Sequence, residues 1–262
     1  MNENNHHMWK KIRVAILLII LAIVVIRSWQ DQADLNWKNS FYVAVYPVNA
    51  AQSPLVKQYI QTLQPSDFAA TSEFINSEAK RYGIGLYRPI NIVLGKPVQE
   101  LPPAPPVNGG IFKVMLWSLK LRYFAWQHEQ DFSVHPKIQL YLLYFDPKQH
   151  PKLSHSTALQ KGRVGRVNLF SDASYNQQNL VVLSHELLHT LGASDKYDFA
   201  NNMPAFPDGY GNPQQQPLFP QTKAELMGGR IVINDSKAVI PKSLAQTVIG
   251  EKTAREIGWV KN

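Results

Sequence analysis

Four positions separate His185 from His189, and at 3.6 residues per turn that spacing sets both imidazoles on one face of a helix. The helix must then end quickly. Gly192 follows one turn later, and glycine readily takes the left-handed backbone that closes a helix and turns the chain. That turn brings the segment around Asp195 back toward the two rings. Upstream, Ser174-Tyr175-Asn176-Gln177 fits a capping box, with Ser174 as N-cap and Gln177 at N3, ahead of the apolar run Leu180 to Leu183. A helix is therefore expected to begin at Ser174 and to stop abruptly at Gly192.

Two histidines one turn apart are spaced to hold a single metal ion, and neutral imidazoles suit zinc. The chain has no cysteine, so any metal must be held by His, Asp or Glu. A zinc site that keeps one position for water needs a third protein ligand. Asp195 is the expected one, with Asp198 and Glu225 as rivals. Glu186 adjoins the first histidine and is placed to act as general base, taking a proton from water activated at the metal and passing it to a leaving amine. His128, His135, His150 and His155 fit no ligand spacing and read as structural or surface residues.

The pattern His185-Glu186-x-x-His189-x-x-Gly192-x-x-Asp195 resembles the metzincin metallopeptidases, and aspartate at the last position resembles their snapalysin-type variant. The resemblance is specific over residues 174 to 230 and architectural elsewhere. It implies a methionine in a tight turn near the metal. Ala224-Glu225-Leu226-Met227-Gly228-Gly229 supplies Met227 as the candidate, with the glycine pair favouring a turn. It also implies a C-terminal helix, expected over Pro241 to Trp259. Some metzincins place a tyrosine just after this methionine to stabilise the oxyanion. Arg230 stands close behind Met227 here, so that role is open among Tyr197, Tyr210 and Arg230.

Val14 to Ile26 is an uninterrupted apolar run preceded by Lys10, Lys11 and Arg13, the arrangement of a signal peptide or signal anchor. No small-residue cleavage site follows, so residues 1–30 are expected to form an uncleaved transmembrane anchor with a cytoplasmic N-terminus. Residues 31–262 would then lie across the membrane, periplasmic or extracellular. Lys10, Lys11, Arg13 and Arg27 against Glu3 supply +3 of the formal net charge of +8, leaving the remainder mildly basic. Lys152, Lys161, Arg163 and Arg166 read as a solvated basic face, with an anionic membrane surface or an acidic substrate as the less favoured alternatives. No nucleic-acid-binding signature accompanies them, and no nucleic-acid partner is expected.

The remaining pattern mixes strands and helices. Strands are expected at Phe41–Val48, Pro89–Leu94, Lys137–Phe145 and Val164–Phe170. Helices are expected from Pro54 to Leu63, from Pro65 to Gly83 and from Ile111 to Gln127, the last largely buried. The expected fold class is α+β and metzincin-like. A mixed-sheet subdomain over about 41–192 carries the active-site helix, and a smaller C-terminal subdomain over about 193–262 carries the methionine turn. The expected function is zinc-dependent hydrolysis of peptide bonds in a peptide or protein substrate. The alternatives are hydrolysis of a non-peptide amide of cell-wall type, and a catalytically inactive membrane-tethered module that keeps zinc for structure.

Overall fold

The computed structural model describes residues 3–107 and 110–260, so the outermost residues of the expected domains lie outside it. The chain opens with α1 (Glu3–Asp34) and β1 (Phe41–Asn49), then α2 (Pro54–Thr62), where Pro54 stands at the first helical turn and its missing N–H leaves no donor unsatisfied. A short 3-10 turn (Pro65–Phe68) leads into α3 (Ala69–Arg81), followed by β2 (Ile90–Leu94) and α4 (Ile111–Gln127). Next come β3 (Ile138–Phe145), β4 (Thr157–Leu159), β5 (Val164–Phe170) and α5 (Asn176–Thr190). The C-terminal part holds the short strands β6 (Ala224–Glu225), β7 (Ile231–Asn234), β8 (Lys237–Val239) and β9 (Thr247–Val248), and ends in α6 (Glu251–Glu256).

The molecule is mixed α+β. Its five-stranded sheet has the order β2-β1-β3-β5-β4, parallel throughout except for β4, which runs antiparallel to β5 at the edge. Parallel strands are covered on both faces, which explains why β3 reads as the nearly continuous apolar run Ile-Gln-Leu-Tyr-Leu-Leu-Tyr-Phe rather than as an alternation. On one face Val43, Val45, Leu140, Leu142 and Val167 pack with Ile75 of α3 and with Leu183 and Leu187 of α5. On the other, Ala44, Tyr46, Tyr141 and Leu143 pack with Trp117, Leu121 and Phe124 of α4. Burial of each large apolar side chain contributes roughly 1.5–3 kcal/mol relative to exposure.

Four expectations need correction. Among the described residues no helix is long and apolar enough to cross a membrane, which overturns the single-pass anchor over residues 1–30 and the extracytoplasmic placement built on it. The physical reason is length. The uninterrupted apolar run lies between Arg13 and Arg27 and rises only about 20 Å as helix, short of the roughly 30 Å of a hydrocarbon core. The helix also continues past Arg27 to Asp34, where it is tied to the sheet.

The second correction concerns α4, which has the expected bounds but is not largely buried. Trp117, Leu121, Phe124 and Ala125 face the sheet, while Ile111, Phe112, Met115, Leu116, Leu119 and Trp126 are exposed. Apolar residues encircle this helix, and a helix lying on a sheet covers only one side. Third, the C-terminal segment is not one helix from Pro241. Thr247 and Val248 pair in parallel with Ala224 and Glu225, which leaves a 3-10 turn at Leu244–Gln246 and an α-helix only over Glu251–Glu256. Fourth, the capping box at Ser174 does not form. Asp172 caps a 3-10 turn by accepting from the Ser174 N–H, and α5 begins at Asn176.

The end of α1 is fixed by charge. Asp34 accepts hydrogen bonds from Lys137 Nζ at 2.6 Å and Arg163 Nη1 at 2.7 Å, and the Arg163 side chain is almost fully buried. Burial acts to raise the Asp34 pKa, but the hydrogen bonds and charges of Lys137 and Arg163 prevail and hold it below the usual range. Its stabilising contribution is therefore complete above the ordinary carboxylate value of about 4 and is lost as pH falls through the lower folded-state value. Asp34→Asn should cost about 1–3 kcal/mol near neutral pH, and its stability should depend less steeply on acid. Denaturant titrations of parent and variant across the acid range measure both effects.

Candidate metal centre

Helix α5 is registered against the sheet by Asn179, whose side chain accepts from the Phe170 N–H at 3.1 Å and donates to the Phe170 carbonyl at 2.8 Å. One face of α5, including Leu180, Leu183 and Leu187, enters the core, which fixes the rotation of the helix and turns His185 and His189 to a common side. Their Nε2 atoms lie 3.0 Å apart, and Asp195 Oδ1 lies 3.0 Å from the first and 3.2 Å from the second. These three atoms form a group that could hold a metal ion.

Backbone carbonyls set the state of both rings. His185 Nδ1 donates to Leu226 O at 2.9 Å and His189 Nδ1 donates to Ala193 O at 2.8 Å. A carbonyl only accepts, so each Nδ1 carries a proton and each Nε2 is turned toward the other and toward a carboxylate oxygen. Three electron-rich atoms at such distances repel unless a cation or protons sit among them. Asp195 Oδ1 and Glu186 Oε2 are buried with no hydrogen-bond partner among the described residues, which fits a metal-binding group beside a reactive carboxylate. Without metal, burial acts to lower the His185 pKa, but the Asp195 carboxylate 3.0 Å away, the charge of Glu186 and the Leu226 carbonyl raise it to about 9. Glu186 is raised chiefly by burial, which outweighs the two histidines.

The returning loop works as its sequence implies. Gly192 has φ +106°, and a Cβ there would lie 2.5 Å from Gln160 Nε2, so both conformation and space call for glycine. Ser194 and Lys196, the residues on either side of Asp195, are both held by Glu256 of α6. Its carboxylate accepts from Ser194 N at 3.0 Å, Ser194 Oγ at 2.7 Å and Lys196 Nζ at 2.7 Å.

Of the rival ligands, Glu225 is fully buried in another role. It accepts from Gly228 N, Gly250 N and Thr253 Oγ1 at 2.8, 3.0 and 2.7 Å. That bonding shapes the turn containing Met227, a fully buried residue in the same core as Leu187, Leu188 and Ala193. Gly228 packs so closely on Gly209 that a Cβ would fall 2.3 Å from the Gly209 carbonyl oxygen. Asp198 lies outside the metal-binding group and turns its side chain to the Ala200 N–H.

A cleft of about 470 Å³ opens beside the centre, lined by His185, Glu186, Tyr197, Arg230, Lys152 and His155 among others. The Tyr197 pKa is pushed up by burial first and then by the charges of Asp195 and Glu186, which places its hydroxyl in their field. Tyr210 is not among the lining residues and instead meets Phe206 edge-on, with Phe219 tilted against it. The basic cluster disperses, since Lys152 borders this cleft while Lys161 and Arg163 border a different cavity with Asp34. His155 was not expected here. It reaches the cleft because Asn168 Nδ2 donates to the carbonyls of Ser154 and His155, a pairing that no local spacing announces. Comparison with known protein families and with curated proteins gives no match for this chain, so its chemistry is argued from this geometry alone.

Proposed function

We propose that the chain is a zinc-dependent hydrolase of peptide bonds, with His185, His189 and Asp195 holding the ion and Glu186 as general base, as the resemblance to metzincins implies. The observation that carries this reading is the buried, unpartnered Glu186 Oε2 beside a three-atom donor group at the edge of an open cleft. A bound zinc ion supplies Lewis acidity that lowers the pKa of water and polarises a carbonyl. Glu186 takes a proton from the attacking water and delivers it to the leaving nitrogen. Tyr197, facing the same cleft, donates a hydrogen bond to the developing oxyanion.

A closed structural zinc site would use four protein ligands. Among the described residues the group contains three, and that favours catalysis over a purely structural role.

The test incubates the zinc-loaded full chain with a peptide library and, separately, with purified cell-wall fragments, and maps products by mass spectrometry. Peptide cleavage should stop when a chelator strips the metal and return when zinc is restored. Cleavage of the wall fragments with intact peptides would replace this reading by the amide-hydrolase alternative.

A further inference from the structure

The cleft has an uneven charge. Its lining includes the cations Lys152 and Arg230, whereas its one acidic side chain is Glu186. Arg230 is half-buried and makes no ion pair or side-chain hydrogen bond among the described residues. A guanidinium that lines the cleft without a carboxylate partner among the described residues leaves its N–H fork available to an entering anion. Its backbone is also fixed from both sides. Gly228 N is held by Glu225 and its Cα is packed against Gly209, while Ile231 on the other side is buried at the start of β7. The apolar side chains Val181, Val182 and Ile240 line the same cleft, a surface on which the stem of an acidic side chain can lie.

We infer that Arg230 selects a substrate with a carboxylate side chain, glutamate or aspartate, close to the bond that is cut, and that Lys152 adds to the attraction. The inference rests on the peptidase reading and supplies its substrate class. A guanidinium matches a carboxylate with two parallel hydrogen bonds, whereas a neutral amide of the same shape lacks the charge. A charge-assisted hydrogen bond in a partly desolvated cleft corresponds to about tenfold discrimination.

The test uses fluorescent peptides that differ only by Glu or Gln at one position, the position being moved along an otherwise neutral sequence. Equilibrium binding is measured to full-length zinc-loaded protein carrying Glu186→Gln, and kcat/KM is measured with the parent. The Glu peptide should be favoured about tenfold at one position in both measurements. That preference should fall toward one in Arg230→Gln, and in the parent protein when salt screens the pair. A ratio near one in the parent, a parent ratio that is insensitive to salt, or an unchanged ratio in Arg230→Gln overturns the assignment. So does an equal loss for both peptides, which would mark Arg230 as an oxyanion or structural residue. The salt series needs no variant, so the inference stays testable if Arg230→Gln fails to fold. A charge preference in binding without cleavage sinks the peptidase reading alone, and cleavage without preference sinks this inference alone.

Discussion

Glu186→Gln should retain the metal and lose turnover by roughly 10²–10⁴-fold, the usual contribution of a positioned general base. Glutamine keeps the shape of glutamate and removes the basic oxygen. The effect should be that large because Glu186 Oε2 has no hydrogen-bond partner among the described residues, which leaves it uncommitted. Burial pushes the Glu186 pKa upward in the metal-free protein. Elemental analysis of the purified variant should find the parental metal content, since Glu186 stands outside the group of His185, His189 and Asp195 that could hold the ion. A metal-loaded Glu186→Gln protein that cleaved as fast as the parent would sink the mechanism.

The second large effect is expected at Glu256, which touches no ligand directly. Glu256→Ala removes the acceptor of Ser194 N, Ser194 Oγ and Lys196 Nζ and so frees both neighbours of Asp195. Metal affinity, measured by competition with a chromogenic chelator, should fall about 10–100-fold, the range for partners that orient a ligand. Stability should fall as well, by about 3–5 kcal/mol, because the Lys196 ammonium is almost fully buried and loses its counter-charge. Glu256 is held below the ordinary carboxylate range, since Lys196 and Ser194 outweigh the effect of burial. Glu256→Gln keeps the Ser194 contacts and should lie between parent and alanine. Parental metal affinity in Glu256→Ala would show that the loop holds Asp195 without this clamp.

The group that could hold a metal ion was legible because its members answer to local rules. His185 and His189 share a helix face by spacing, and Gly192 announces the turn that returns Asp195. The central strands were legible for a related reason, since a parallel sheet buried on both faces writes itself as apolar runs. What escaped was decided by partners distant in sequence. Glu256 lies 62 positions from Ser194, and nothing near either residue signals the other. The helix expected from Pro241 gave way to β9 because Thr247 and Val248 found Ala224 and Glu225. The apolar content of α4 foretold a helix and not how much of it the sheet would cover. The run Val14–Ile26 shows apolarity without length, and length decides whether a helix reaches across a bilayer.

The clamp on Asp195 also sets an order of events. On a growing chain His185 and His189 can share a helix face as soon as α5 forms, but the loop bearing the third donor gains its anchor only after residue 256 has been added. The Trp37 indole donates to the Ile257 carbonyl at 2.7 Å, so the same late stretch also fastens the entrance to the sheet. A chain that has not yet grown past residue 256 therefore carries the two histidines without the carboxylate that secures Asp195.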